Sequence, residues 1–134
     1  MPTLFVFGGL PGTGKSTLAR HVAGDRKAVY LRIDTIEQAL RDVGSPLRGP
    51  EGYLVAYAVA ADSLRLGLDV VADSVNPLAI TRNAWCDVAA RCNARVLEIE
   101  VICSDAAEHR RRVEARSTGQ SAGESLAALQ RSLE

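Results

Sequence analysis

The chain has 134 residues, 47% hydrophobic and 24% charged, a balance that excludes disordered, fibrous and membrane-embedded classes and predicts one soluble domain spanning residues 1–134. Sixteen basic and sixteen acidic residues cancel, which excludes the broad positive surface of most nucleic-acid binders and confines any anion site to a local patch. Aromatic residues make up only 4%, a poor supply of base-stacking platforms.

From the N-terminus, Thr3 to Phe7 is a β-branched and aromatic run that predicts a strand buried on both faces. A glycine-rich turn from Gly8 to Gly14 leads into a predicted helix, Lys15 to Gly24, with Leu18 and Val22 four apart on its inner face. Ala28 to Ile33 predicts a second strand, ended by Asp34. Asp34-Thr35 then caps a helical stripe of Ile36, Ala39, Leu40 and Val43, closed by Gly44 and a loop holding Pro46, Gly49 and Pro50. Gly52 to Leu66 is apolar around most of its circumference and predicts a long helix buried against a sheet.

Beyond Gly67, Leu68 to Ala72 predicts a third strand ending at Asp73. Asn76-Pro77 opens a helix that turns Ile80, Ala84, Trp85, Val88 and Ala89 inward. Arg95 to Cys103 predicts a fourth strand, with Glu98 and Glu100 on a partly wet face. Ser104 then caps a basic helix reaching Arg116, and a final helix begins at Glu124. Strands alternating with helices predict a three-layer α/β/α fold with a mainly parallel sheet of about four strands, ligands gathering beyond the strands' C-terminal ends. The three cysteines and two histidines form no zinc-ligand spacing, and with no secretory leader pattern they predict a cytoplasmic chain with reduced thiols.

The sharpest local signal is Gly9-Leu10-Pro11-Gly12-Thr13-Gly14-Lys15-Ser16, a full GxxxxGK[ST] match between a predicted strand and helix. Glycines let successive N–H groups turn inward around phosphate oxygens, and the helix start adds its positive end. Gly9, Pro11, Gly12, Thr13, Gly14, Lys15, Ser16 and Thr17 are therefore candidate nucleotide-binding residues. Lys15 is placed to reach the β- and γ-phosphates and the Ser16 hydroxyl to ligate Mg²⁺. No guanine-specifying NKxD follows, and Ser74 stands where hydrolysing ATPases carry a water-positioning Glu after the strand-end acid. Transfer of a phosphoryl group to a bound hydroxyl is the better match, and it needs a carboxylate to orient the acceptor. Asp34 is the candidate, its alternative role being a helix cap. Asp73 is a candidate for magnesium, through water, or for acceptor contact. Arg82 is a candidate on the acceptor side, and Arg112 and Arg116, four apart on the predicted basic helix, are candidates for neutralising the transferring phosphoryl. A solvated charged face is the plainer reading of that basic run.

With GLPGTGKSTLAR, RIDTI, VVADSVNPLAITRNAW and VICSDAAEHRRRVEAR in order, residues 3 to 116 resemble the P-loop small-molecule kinases of the ATP-binding AAA-domain type. Chloramphenicol phosphotransferase, zeta toxins, gluconate kinase and polynucleotide kinase share this plan. The resemblance implies an ATP- and Mg²⁺-dependent phosphotransferase acting on a small-molecule hydroxyl. It further implies a catalytic Asp34, an acceptor pocket lined by Asp73 and Arg82, and a lid begun by Arg112 and Arg116. Relatives continue through a lid loop and a fifth strand, whereas here Arg116 runs into Ser117-Thr118-Gly119-Gln120. A shortened core with the fourth strand at its edge is thus expected, and with it the alternative of an ATP-binding module that is weakly active or non-catalytic. Zero net charge and few aromatics argue against a polynucleotide acceptor.

Overall fold

The computed structural model describes residues 1–9, 14–47, 49–75, 78–103 and 111–117, with 78, 102–103 and 111–117 described by their backbone. In chain order the elements are β1 (Thr3–Gly8), α1 (Lys15–Arg26), β2 (Val29–Arg32), α2 (Ile33–Asp42), α3 (Glu51–Arg65), β3 (Val70–Asp73), α4 (Leu78–Arg91), β4 (Arg95–Cys103) and β5 (Arg111–Ser117).

The sheet runs β2-β3-β1-β4-β5. Four strands are parallel, as the alternation of strands and helices predicts, with Phe5 opposite both Val71 and Leu97. All six residues of β1 are buried, as expected for a central strand covered on both faces. On one face Phe5, Phe7, Val71, Leu97 and Ile99 pack with Leu18, Ala19 and Val22 of α1. On the other, Leu4, Val6, Val70, Ala72 and Val96 pack with Ala56, Ala60 and Leu64 of α3 and Trp85, Val88 and Ala89 of α4. The result is the three-layer α/β/α arrangement. β1 is flanked by β3, reached after β2, and by β4, so its C-terminal end is a switch point where a crevice opens.

Several expectations are corrected. Ile80 points outward and is 71% exposed, while Thr81 and Trp85 take the buried face of α4. α3 packs against the sheet through Ala56, Ala60 and Leu64, as expected, while Leu54, Val55 and Val59 lie on its outer side. β2 ends at Arg32, so Asp34 belongs to the first turn of α2 and does not end a strand. The largest difference is at residues 111–117, expected as helix and found as a strand antiparallel to β4, with Cys103 opposite Arg111 and Glu98 opposite Arg116. Val113, Ala115 and Ser117 alternate with Arg112, Glu114 and Arg116, a period of two that fits a strand once a partner is offered. The outer edge of nine-residue β4 offers a row of otherwise unpaired backbone groups. β4 is therefore not the edge of the sheet, and Glu98 is not wet: it is 2% exposed. The expected final helix from Glu124 lies outside the described residues.

Candidate functional site

The site is built where β1 gives way to α1. Gly9 leaves the strand at φ 133° and Gly14 enters the helix at φ 87°, conformations in which a Cβ is strained. At Gly9 the space is also closed, since a Cβ there would stand 3.2 Å from the Val101 carbonyl oxygen. Gly9→Ala is expected to destabilise the protein by about 1–3 kcal/mol, measured by urea unfolding; an unchanged midpoint would show that the turn is not constrained. Gly14 is the N-cap of α1 and no side chain caps this helix end, leaving first-turn N–H groups and the positive end of the dipole for an anion. Pro11, Gly12 and Thr13 lie outside the described residues. Ser16 is half-buried in the first turn and Thr17 is exposed.

Lys15, the first residue of α1, is 4% exposed. Its ammonium pairs with Oδ1 of Asp73, which is 1% exposed at the end of β3 and lies opposite Phe7 in register. Tyr30 on β2 donates its hydroxyl to Asp73 Oδ2 at 2.6 Å. Burial, and then the Asp73 carboxylate, raise the Tyr30 phenol well above its ordinary value, against the opposing charges of Arg32 and Arg20. The hydroxyl therefore keeps its proton and remains a donor. Three elements thus converge on one buried carboxylate. Next along the chain, Ser74 donates its N–H to the Phe7 carbonyl (3.0 Å), and its hydroxyl meets the Tyr53 hydroxyl at 2.8 Å.

Of the residues expected from the sequence, Lys15 and Asp73 come together. Asp34 stands apart: β3 separates β2 from β1, and the Asp34 carboxylate, 42% exposed, lies 3.6 Å from Arg32. Arg32, Asp34, Thr35, Gln38, Ala39 and Asp42 line an open groove of about 480 Å³. Since Arg32 is the register partner of Asp73, the groove begins one strand away from the lysine's carboxylate. Arg82 is held elsewhere, its Nε 2.6 Å from Glu98 Oε2 on β4. Arg82→Ala leaves that buried carboxylate without its cation and should lower Tm, and adding Glu98→Gln should recover most of the loss. Equal Tm values for wild type and Arg82→Ala would mean the pair contributes nothing. The backbones of Arg112 and Arg116 lie on β5 opposite Ile102 and Glu98, so the expected helical face shared by the two does not exist.

The sequence pattern does not single out Tyr30. The only local signal is a polar-tipped aromatic two residues before the strand ends, and its meaning depends on which strand lies alongside. Among the described residues no cluster of three or more His, Cys, Asp or Glu side chains is disposed to hold a metal. The oxygen donors that are present, the Ser16 hydroxyl and the Asp73 carboxylate, are the kind a hard cation such as Mg²⁺ takes alongside nucleotide phosphates and water. No helix among the described residues is long and apolar enough to cross a membrane.

Comparison with known proteins adds three findings. A family model described as an AAA domain matches residues 4–134. No curated protein matches the chain. Among solved structures, a proposed kinase from Chloroflexus aurantiacus J-10-fl is similar at 20% identity and a TM-score of 0.65, over 74% of this chain and 57% of that one. The Pnkp1/Rnl/Hen1 complex is similar at 22% identity and a TM-score of 0.60, over 74% of this chain and 35% of that one. A variant of the APS kinase of Mycobacterium tuberculosis is similar at 19% identity and a TM-score of 0.52, over 98% and 96%. The match thus spans little more than half the length of the first and about a third of the second. At these identities the likeness is one of fold.

Proposed function

The chain belongs to the AAA-domain family and has the fold of P-loop kinases, and from that premise we propose that residues 1–134 act as one ATP-binding, kinase-like domain that transfers the γ-phosphoryl group to a hydroxyl of a small molecule. The observation that carries the reading is Lys15: a buried ammonium at an uncapped helix N-terminus, preceded by Gly14 at positive φ and countered by the strand-end Asp73. In this reading the first-turn N–H groups of α1 bind phosphate oxygens, and Lys15 turns from Asp73 toward the β- and γ-phosphates. Ser16 and Asp73, the latter through water, would hold Mg²⁺, which when bound neutralises charge on those phosphates. Asp34 orients the acceptor hydroxyl and takes its proton, and the groove beside it receives the acceptor.

That groove has one guanidinium, two carboxylates, an amide, a hydroxyl and a methyl on its walls. Such a lining suits a small, uncharged polar molecule better than a polyanionic nucleic-acid end, in keeping with zero net charge. The test is a screen of hydroxyl metabolites for phosphate incorporation from labelled ATP, with bare hydrolysis as background. Incorporation above background supports transfer, and none with any acceptor tells against it. A second reading, an ATP-binding module without transfer, is favoured by one observation: Asp34, in the first turn of α2, is paired with Arg32 of β2, and β3 stands between β2 and the strand that leads into the P-loop. In that case Mg-ATP adds about 2.7 kcal/mol of stability at a hundredfold excess over Kd, read as a higher Tm, and no acceptor is labelled.

A further inference from the structure

We propose that Tyr30 is a positioning residue of the phosphate site, whose hydroxyl holds Asp73 in place when Lys15 turns from that carboxylate to a nucleotide phosphate. This rests on the nucleotide-binding reading above and concerns a residue that the P-loop motif does not include.

Asp73 has one oxygen committed to Lys15 and the other to Tyr30, in surroundings that leave it 1% exposed. A buried carboxylate is tolerated only while donors surround it. Lys15 has three N–H donors on one compact head, and those aimed at phosphate are no longer aimed at Asp73. At that moment Tyr30 is the direct protein donor left to the carboxylate among the hydrogen bonds described here. Its anchorage does not depend on the loop that receives the phosphate. Tyr30 sits on β2, packs against the core on the α1 side, and is separated from β1 by β3. Tyr30 is also opposite Val71, two residues before Asp73, on the same face of the sheet. Its ring is therefore fixed to the strand that carries the carboxylate. In the nucleotide-free protein, by contrast, Asp73 keeps Lys15 whether or not the hydroxyl is there. The contribution of Tyr30 is thus larger with nucleotide bound than without it, which a purely structural hydrogen bond would not show.

Tyr30→Phe keeps the ring and removes only the hydroxyl. With the full chain and Mg-ADP as the probe, calorimetric titration should give a Kd about tenfold weaker than wild type. The Tm of the nucleotide-free variant should stay within a few degrees of wild type, and the Tm rise produced by Mg-ADP should shrink. In an Asp73→Asn background, Tyr30→Phe should change Kd less than twofold, because the carboxylate it serves is gone. An unchanged Kd in Tyr30→Phe, a tenfold loss that persists in Asp73→Asn, or a fall in nucleotide-free Tm that accounts for the whole effect would each overturn the proposal. Wild-type protein that does not bind Mg-ADP would overturn the nucleotide reading itself, a result distinct from normal wild-type binding with a silent Tyr30→Phe.

Discussion

Lys15→Met is expected to abolish Mg-ATP binding and, independently, to destabilise the nucleotide-free protein by about 3 kcal/mol. The two effects have different origins. Loss of binding follows from removing the charge of Lys15 from the uncapped start of α1, where it would meet phosphate oxygens. Loss of stability follows from Asp73, which is buried with Lys15 as its cation and would keep, among the described residues, the Tyr30 hydroxyl. For a chain of this length that destabilisation corresponds to a Tm lower by roughly 10 °C. Adding Asp73→Asn should return much of the stability, since the charge left behind is then gone, while nucleotide binding stays lost. Urea unfolding of both variants, with and without Mg-ATP, checks both halves. A Lys15→Met protein that unfolds like wild type, or one that still gains stability from Mg-ATP, contradicts the arrangement described here.

Asp34→Asn should act in the opposite manner, sparing binding and removing transfer. Asp34 is half-exposed in the first turn of α2, where its charge favours the helix dipole by less than about 1 kcal/mol, so the fold should tolerate the amide. ATP affinity should be nearly unchanged, because the carboxylate pairs with Arg32 and not with Lys15. If it serves as the general base, phosphate transfer should fall by about 10²–10⁴-fold. Single-turnover transfer and equilibrium ATP binding on the same preparation separate the two quantities. Full transfer activity in Asp34→Asn would remove Asp34 from the mechanism, and lost ATP affinity would mean that the groove and the phosphate site are one.

What the sequence made legible was local. The apolar run Thr3 to Phe7, the glycines after it and the helix from Lys15 form one continuous stretch, and each piece is punctuated by its own residues. Asp73 was legible as a strand-end acid for the same reason. What stayed hidden depends on which strand lies beside which. Tyr30 meets Asp73 only because β2 pairs with β3. Glu98 resembles a surface residue until α4 is laid over β4 and Arg82 reaches it. Residues 111–117 carry charges at helical spacing and small or apolar residues at strand spacing. The free edge of β4 decides between the two periods, and no local propensity encodes that edge.

The central position of β1 has a consequence in time. Its neighbours are Val70–Asp73 on one side and Arg95–Glu100 on the other, so β1 leaves the ribosome well before either of its sheet partners has been made. At about 5–20 residues per second, Leu4, Phe5, Val6 and Phe7 wait several seconds as an unpaired apolar segment. Such long-range pairing slows folding and exposes the nascent chain to wrong partners. When β3 does dock, Asp73 arrives in the same step. Lys15 therefore acquires its countercharge only as the central pair of strands closes, and burial of the lysine and pairing of β1 with β3 become a single event.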